Sequence, residues 1–190
     1  IPVGEEATAK FIRQVVEFAD IDNKKAEEFI KQEASIYYYY LEHFSEFFAE
    51  YWYGMPSEFA IVADASYALA YSKFLADQIG LIPKRVVITD NTPEKFRPAI
   101  SEYFKNNISE GVSIDVDFVE DGYIAEQLVD SVEFTGGKPL ILASSWELTL
   151  AEKKQALFFE ITTPSSETLI INRTPVDKKR ESATHPRNDG

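Results

Sequence analysis

The sequence predicts an α/β fold: a three-layer αβα domain with a mostly parallel sheet of about five strands, preceded by a long aromatic-rich helix. Three observations carry this expectation. Short apolar runs of strand length recur through the chain after residue 56. Segments with apolar residues at helical spacing separate them. Strands interleaved with helices build βαβ units, whose right-handed crossovers place helices on both faces of a parallel sheet.

Residues 8–18 space Phe11, Ile12, Val15, Val16 and Phe18 as a helix does. Ile21-Asp22-Asn23 breaks that pattern, and Asp22 or Asn23 is the expected N-cap of the next helix. That helix spans residues 24–50, with Phe29, Ile30, Ile36, Tyr37, Tyr40, Leu41, Phe44, Phe47 and Phe48 along it, and Gly54 and Pro56 end it. Residues 59–63 form a continuous apolar run, as a strand buried on both faces requires. Residues 67–79 are helical and close at Gly80. A second strand covers 85–89. Residues 93–106 are helical, with Thr92 as expected N-cap and Pro93 at the first helical position. In residues 113–119, Ile114, Val116 and Phe118 alternate with Asp115 and Asp117, which places this strand near a sheet edge with one face wet. Helix 124–132, strand 139–143, helix 148–154 and strand 157–161 complete the series.

The chain has 190 residues, 45% hydrophobic and 27% charged, a composition that can bury one sizeable core. One domain over residues 1–175 is expected, with helices in 1–56 and the sheet with its crossover helices in 57–175. Residues 176–190 are a polar tail, expected to be disordered. No apolar run approaches the ~20 residues of a membrane span, and the first residues mix Glu5, Glu6, Lys10 and Arg13 among apolar ones, unlike a signal peptide. The expected location is the cytoplasm. Net charge is −13, which argues against nucleic acid and anionic membranes as partners, because phosphate binding needs clustered Lys and Arg. There is no Cys, so no thiolate can ligate a metal, and the two His, His43 and His185, lie far apart in sequence. No cofactor or metal is expected in this chain.

In open parallel sheets ligands sit beyond the carboxyl ends of the strands. Six residues there form the candidate ligand crevice: Asp64, Ser66, Asp90, Thr92, Ser144 and Ser145. The plainer reading of the same residue types is helix capping, since strand-to-helix turns demand them. Neither G-x-G-x-x-G nor a P-loop is present, which weighs against a dinucleotide or nucleoside triphosphate. No Ser stands in a nucleophile elbow, and no catalytic residue is assigned. Four successive tyrosines, Tyr37, Tyr38, Tyr39 and Tyr40, point all round their helix and cannot all face one core. Tyr37, Tyr40, Phe44, Phe48 and Trp52 are therefore the candidate interface residues, because aromatics concentrate at interfaces.

Several segments carry a likeness in order. They are Ile1-Pro2-Val3-Gly4 followed by Ala7-Thr8-Ala9-Lys10-Phe11-Ile12; the run from Glu58 to Asp64 with residues 67–75; Leu140 to Glu147; and residues 158–174 with Pro164, Asn172 and Arg173. Together, over roughly residues 1–175, they resemble the nitrogenase component 1 type oxidoreductases. The resemblance implies one Rossmann-like domain of a larger subunit. It also implies partners: other domains of the same subunit, a paired subunit, and an ATP-dependent iron–sulfur reductase. An iron–sulfur or other metal cluster would then sit in the full-length parent, held largely by Cys. This sequence departs from the pattern: it has no Cys, residues 158–174 contain no His, and Ser166-Glu167 stands where the family has an acidic–arginine pair. None of the family's ligands carries over to a position here. The expected role is thus structural and partner-docking, within an oxidoreductase. The alternatives are a cluster-free interaction or scaffold module, including a homo-oligomer, and a small-molecule binding domain using the crevice.

Overall fold

A computed structural model describes residues 1–19, 21–50, 56–108 and 114–161, with the side chains of 45 and 47–50 outside the description. The tail 176–190, the loop residues 162–166 and Trp52 all lie outside the described residues, as does the side chain of Phe48.

The first two helices, α1 (Glu5–Phe18) and α2 (Asn23–Glu50), form an antiparallel hairpin. The turn between them is set by Asp22, whose Oδ1 accepts from Lys24 N at 2.9 Å and whose carbonyl accepts from Ala26 N at 3.1 Å. Asp22 is therefore the N-cap, one of the two residues the sequence offered. Arg13 and Glu27 clamp the hairpin near its turn with two hydrogen bonds, at 2.7 and 3.0 Å. At the other end Tyr38 Oη donates to Glu5 at 3.4 Å.

The rest follows the expected alternation. Strands β1 (Glu58–Ala63), β2 (Ile82–Ile88), β3 (Val116–Phe118), β4 (Leu140–Ala143) and β5 (Leu157–Glu160) form one sheet. Helices α3 (Ala65–Lys73), α4 (Arg97–Asn107), α5 (Gly122–Asp130) and α6 (Leu148–Lys153) connect them. The strand order is β3-β2-β1-β4-β5, and every pairing is parallel. β1 is central and buried along its whole length, as its unbroken apolar run requires. β3 is indeed an edge. Its outward Asp117 is half-buried rather than wet, because Arg85 on β2 reaches across to it at 3.0 Å.

Side-chain alternation divides the core in two. Phe59, Ile61 and Ala63 with Val86, Ile88 and Leu142 face the layer of α3 and α4, where Ala68, Leu75 and Phe104 meet them. Ala60, Val62, Val87, Ile141 and Ala143 face the other layer, where Ala125 and Val129 of α5 and Leu150 and Ala151 of α6 close the core. The helix after β1 differs from the uniform α-helix expected over 67–79: it widens into a π-helical turn over Phe74–Ile79 before Gly80 stops it in the left-handed region at φ 82°. The helix expected from Pro93 is preceded by a 3-10 turn, Glu94–Phe96, so α4 proper starts at Arg97 and Pro98 sits in its first turn. Pro93 itself stays extended, with ψ 134°.

The hairpin meets the helical layer after β1 at Gly4 and at Tyr37. Gly4 has φ 83°, and a Cβ built there would lie 2.5 Å from Phe74 Cδ2 and 2.7 Å from Gln78 Oε1. Tyr37 Oη donates to the same Gln78 at 3.1 Å. Gly4→Ala is therefore expected to cost about 1–3 kcal/mol, from positive-φ strain and overpacking. A urea midpoint equal to that of the parent protein would contradict it.

Candidate functional site

The chain leaves β1 toward β2 on one side, while β4 pairs on the other, so the order of strands reverses between β1 and β4. The carboxyl ends of those two strands carry Asp64 and Ser144, and this is the crevice where open α/β sheets receive ligands.

On the β2 side lie Asp64, Asp90 and Thr92, of which Asp90 and Thr92 bond to each other. Asp64 adopts extended backbone before α3, its carbonyl accepts from Ala68 N at 2.9 Å, and its side chain makes no capping bond. The first helical N–H is instead taken from the neighbouring loop: Ala65 N donates to Asp90 Oδ2 at 3.1 Å. The other oxygen of Asp90 accepts from Thr92 Oγ1, and Thr92 N donates to the Asp90 carbonyl at 2.8 Å. Arg97 Nε then donates to the buried Thr92 carbonyl at 3.0 Å. A carboxylate at the start of α3 is stabilised by the positive end of the helix dipole. Asp90 thus ties the loop after β2 to the helix after β1. Asp90→Ala is expected to lower stability by about 1–2 kcal/mol. Thermal unfolding checks this, and Asp64→Ala, which removes no such bond, is the comparison.

On the β4 side, Ser144 and Glu147 close a capping box. Ser144 N and Oγ both donate to Glu147 Oε2, at 3.1 and 2.7 Å, and Trp146 N donates to Ser144 Oγ at 3.3 Å. Both Ser144 and Glu147 are buried. Ser145 is half-buried beside them, and the Trp146 ring is 75% exposed over the rim. The six crevice candidates therefore fall into two groups: Asp64, Asp90 and Thr92 with the exposed Ser66 on one side, Ser144 and Ser145 on the other.

The larger opening lies beside this crevice. An apolar groove of about 960 Å³ runs between the hairpin and the α3–α4 layer, lined by Val3, Ala7, Leu69, Phe96, Ile100 and Tyr103. Ser66 and Thr92 touch its end, and Asp64, Asp90 and Ser144 do not.

Sequence reasoning missed Glu58. It sits at the amino end of β1, 5% exposed, and gathers a loop that is distant in sequence. Its Oε2 accepts from Thr135 N at 2.7 Å and Gly136 N at 3.1 Å, its Oε1 from Thr135 Oγ1 at 2.9 Å, and Lys84 Nζ stands 3.3 Å away. Burial pushes this carboxyl up, but the Thr135 and Gly136 hydrogen bonds with Lys84 outweigh it and hold the group below the ordinary carboxylate value. A charged residue opening a fully apolar strand was the one available signal. Glu58 stands at the end of the sheet opposite the crevice, so its work is structural.

The interface candidates lie on α2. Tyr37 is half-buried against Gln78, whereas Tyr40 is 67% exposed and Phe44 is 41% exposed. His43 Nδ1 is bonded to the Tyr39 carbonyl at 2.8 Å, and its ring stacks obliquely on Tyr39 at 4.1 Å. Among the described residues no group of three or more His, Cys, Asp or Glu is placed to hold a metal ion. An iron–sulfur cluster needs thiolates, and the sequence contains none, so this donor set does not fit such a group. No helix among the described residues is long and apolar enough to cross a membrane.

The sequence matches no protein-family model and no curated protein. Among solved structures, that of nitrogenase Cp1 at pH 6.5 is similar across 88% of this chain, with a TM-score of 0.60 and 21% sequence identity. The chain spans about a third of that protein's length, 33%. At this identity the likeness is one of fold: the chain carries a nitrogenase-like, Rossmann-type αβα fold.

Proposed function

We propose that this chain is one domain of a nitrogenase component 1-like oxidoreductase subunit, with a structural and partner-docking role and no cluster ligands of its own. The observation that carries the reading is the fold likeness over 88% of the chain to about a third of a nitrogenase chain. The chemistry of the residues agrees with a supporting rather than a reacting role. The strand-end residues Asp90, Ser144 and Glu147 spend their polar atoms on loops and helix starts. The partners would be other domains of the same subunit, a paired subunit, and an ATP-dependent iron–sulfur reductase that supplies electrons. Cluster ligands would come from polypeptide outside residues 1–190.

Iron and acid-labile sulfide, measured on the complete protein purified without oxygen, test the proposal. The expected result is iron in the intact protein, together with reduction by an ATP-dependent iron–sulfur reductase. After limited proteolysis all of that iron should remain with polypeptide other than this chain. A complete protein without iron that accepts no electrons would sink the oxidoreductase reading and leave a cluster-free interaction module on the same fold.

A further inference from the structure

Arg13–Glu27 and Tyr38–Glu5 fix how far α1 runs alongside α2: the start of α1 lies beside Tyr38. The remaining turns of α2, to Glu50, run about 20 Å past that point at 1.5 Å per residue. Its described side chains include exposed aromatics. Tyr38, Tyr39 and Tyr40 are 54, 56 and 67% exposed, and Tyr39 packs edge-on against Tyr40 with ring centroids 5.5 Å apart. Ile36, Tyr39, Tyr40 and His43 follow the i, i+3, i+4, i+7 spacing of one helix face, and all four are exposed. Exposed aromatic residues of this kind concentrate at protein interfaces.

Charge says what kind of partner fits. From Gln32 to Ser72 the sequence has no Lys or Arg, while Glu33, Glu42, Glu46, Glu50, Glu58 and Asp64 fall within it. Glu46 is exposed beside the aromatic face. Tyrosine rings in a stretch that carries carboxylates and no Lys or Arg attract a cation twice, through the ring faces and through Coulomb attraction. A second copy of this chain would bring its own carboxylates against these, which opposes self-pairing.

We propose that the projecting face of α2 docks a protein segment that is helical, apolar on one side and rich in Lys and Arg around it. This deepens the docking role proposed above and rests on it for the biological partner, but not for the surface chemistry. The test uses the complete protein and two labelled 18-residue probe helices, one patterned from Leu and Lys, the other from Leu and Glu in the same pattern. Fluorescence anisotropy is read in low and moderate salt. The Lys probe is expected to bind at least about tenfold tighter than the Glu probe and to weaken as salt rises. A Tyr39→Ser/Tyr40→Ser variant, unchanged in charge and near-neutral in helix propensity, is expected to lose about tenfold of that affinity with unchanged circular dichroism. Equal binding of the two probes, or full binding by the tyrosine variant, overturns the proposal. So does a dimer in sedimentation that the tyrosine variant converts to monomer, because a second copy would then own the face. Iron content is measured separately. Probe discrimination in an iron-free protein would remove the oxidoreductase reading alone, and absence of discrimination in an iron-bearing protein would remove this proposal alone.

Discussion

Replacing Glu58 with alanine is expected to lower stability by about 3 kcal/mol, a drop of roughly 6–12 °C in Tm for a domain of this size. The buried carboxylate accepts three hydrogen bonds from Thr135 and Gly136 and faces Lys84, so its removal strands two backbone N–H groups and a half-buried ammonium at once. Glu58→Gln keeps the shape and one acceptor oxygen, and its cost should be about half. The pH dependence has a definite sign. The folded carboxyl is held below its ordinary value, so its stabilisation is complete above the ordinary carboxylate range and disappears as pH falls through the folded value. Melting curves of the parent and Glu58→Gln should therefore lie apart at neutral pH and converge in acid. Curves that stay parallel to the acid limit would show that the charge of Glu58 contributes nothing.

Phe104→Ala is expected to cost about 3–5 kcal/mol, the range for deleting a buried phenyl ring. The effect should concentrate on α4. Phe104 is the single buried residue of that helix, fully enclosed among Ile88, Ile108 and Ile114, with Ile100 only half-covered. Without the ring, α4 retains few apolar contacts with the sheet, and its amides should exchange with solvent faster than those of α5. Uniform acceleration across both helices would mean that the two faces of the core fail together rather than separately.

What the sequence made legible follows from locality. The run Phe59 to Ala63 is apolar without interruption, and only a strand buried on both faces needs that, so the central strand was readable. The alternation at Val116 and Phe118 was equally readable as an edge. The π-helical turn at Phe74–Ile79 and the 3-10 turn at Glu94–Phe96 were not, since they depend on how each helix seats on the sheet rather than on its own pattern. The site was harder still. Thr92 was the expected cap of the following helix, yet its hydroxyl donates to Asp90, and Asp90 in turn serves Ala65, 25 residues back. Glu58 binds Thr135, 77 residues on, and no spacing rule spans that distance. Such pairs exist only once the parallel register has brought the two loops together.

The parallel order β3-β2-β1-β4-β5 also has a consequence in time. As the chain leaves the ribosome, β1 finds β2 after a crossover of fewer than 20 residues, Asp64–Leu81. Its other edge must wait for β4, which ends at Ala143. At about 5–20 residues per second, that edge of a strand reading Phe-Ala-Ile-Val-Ala stays unpaired for several seconds. An open apolar edge is a template for the wrong strand, from this chain or another. In the finished sheet that edge is closed by β4, and Glu58 at the amino end of β1 holds the Thr135 loop that leads into it.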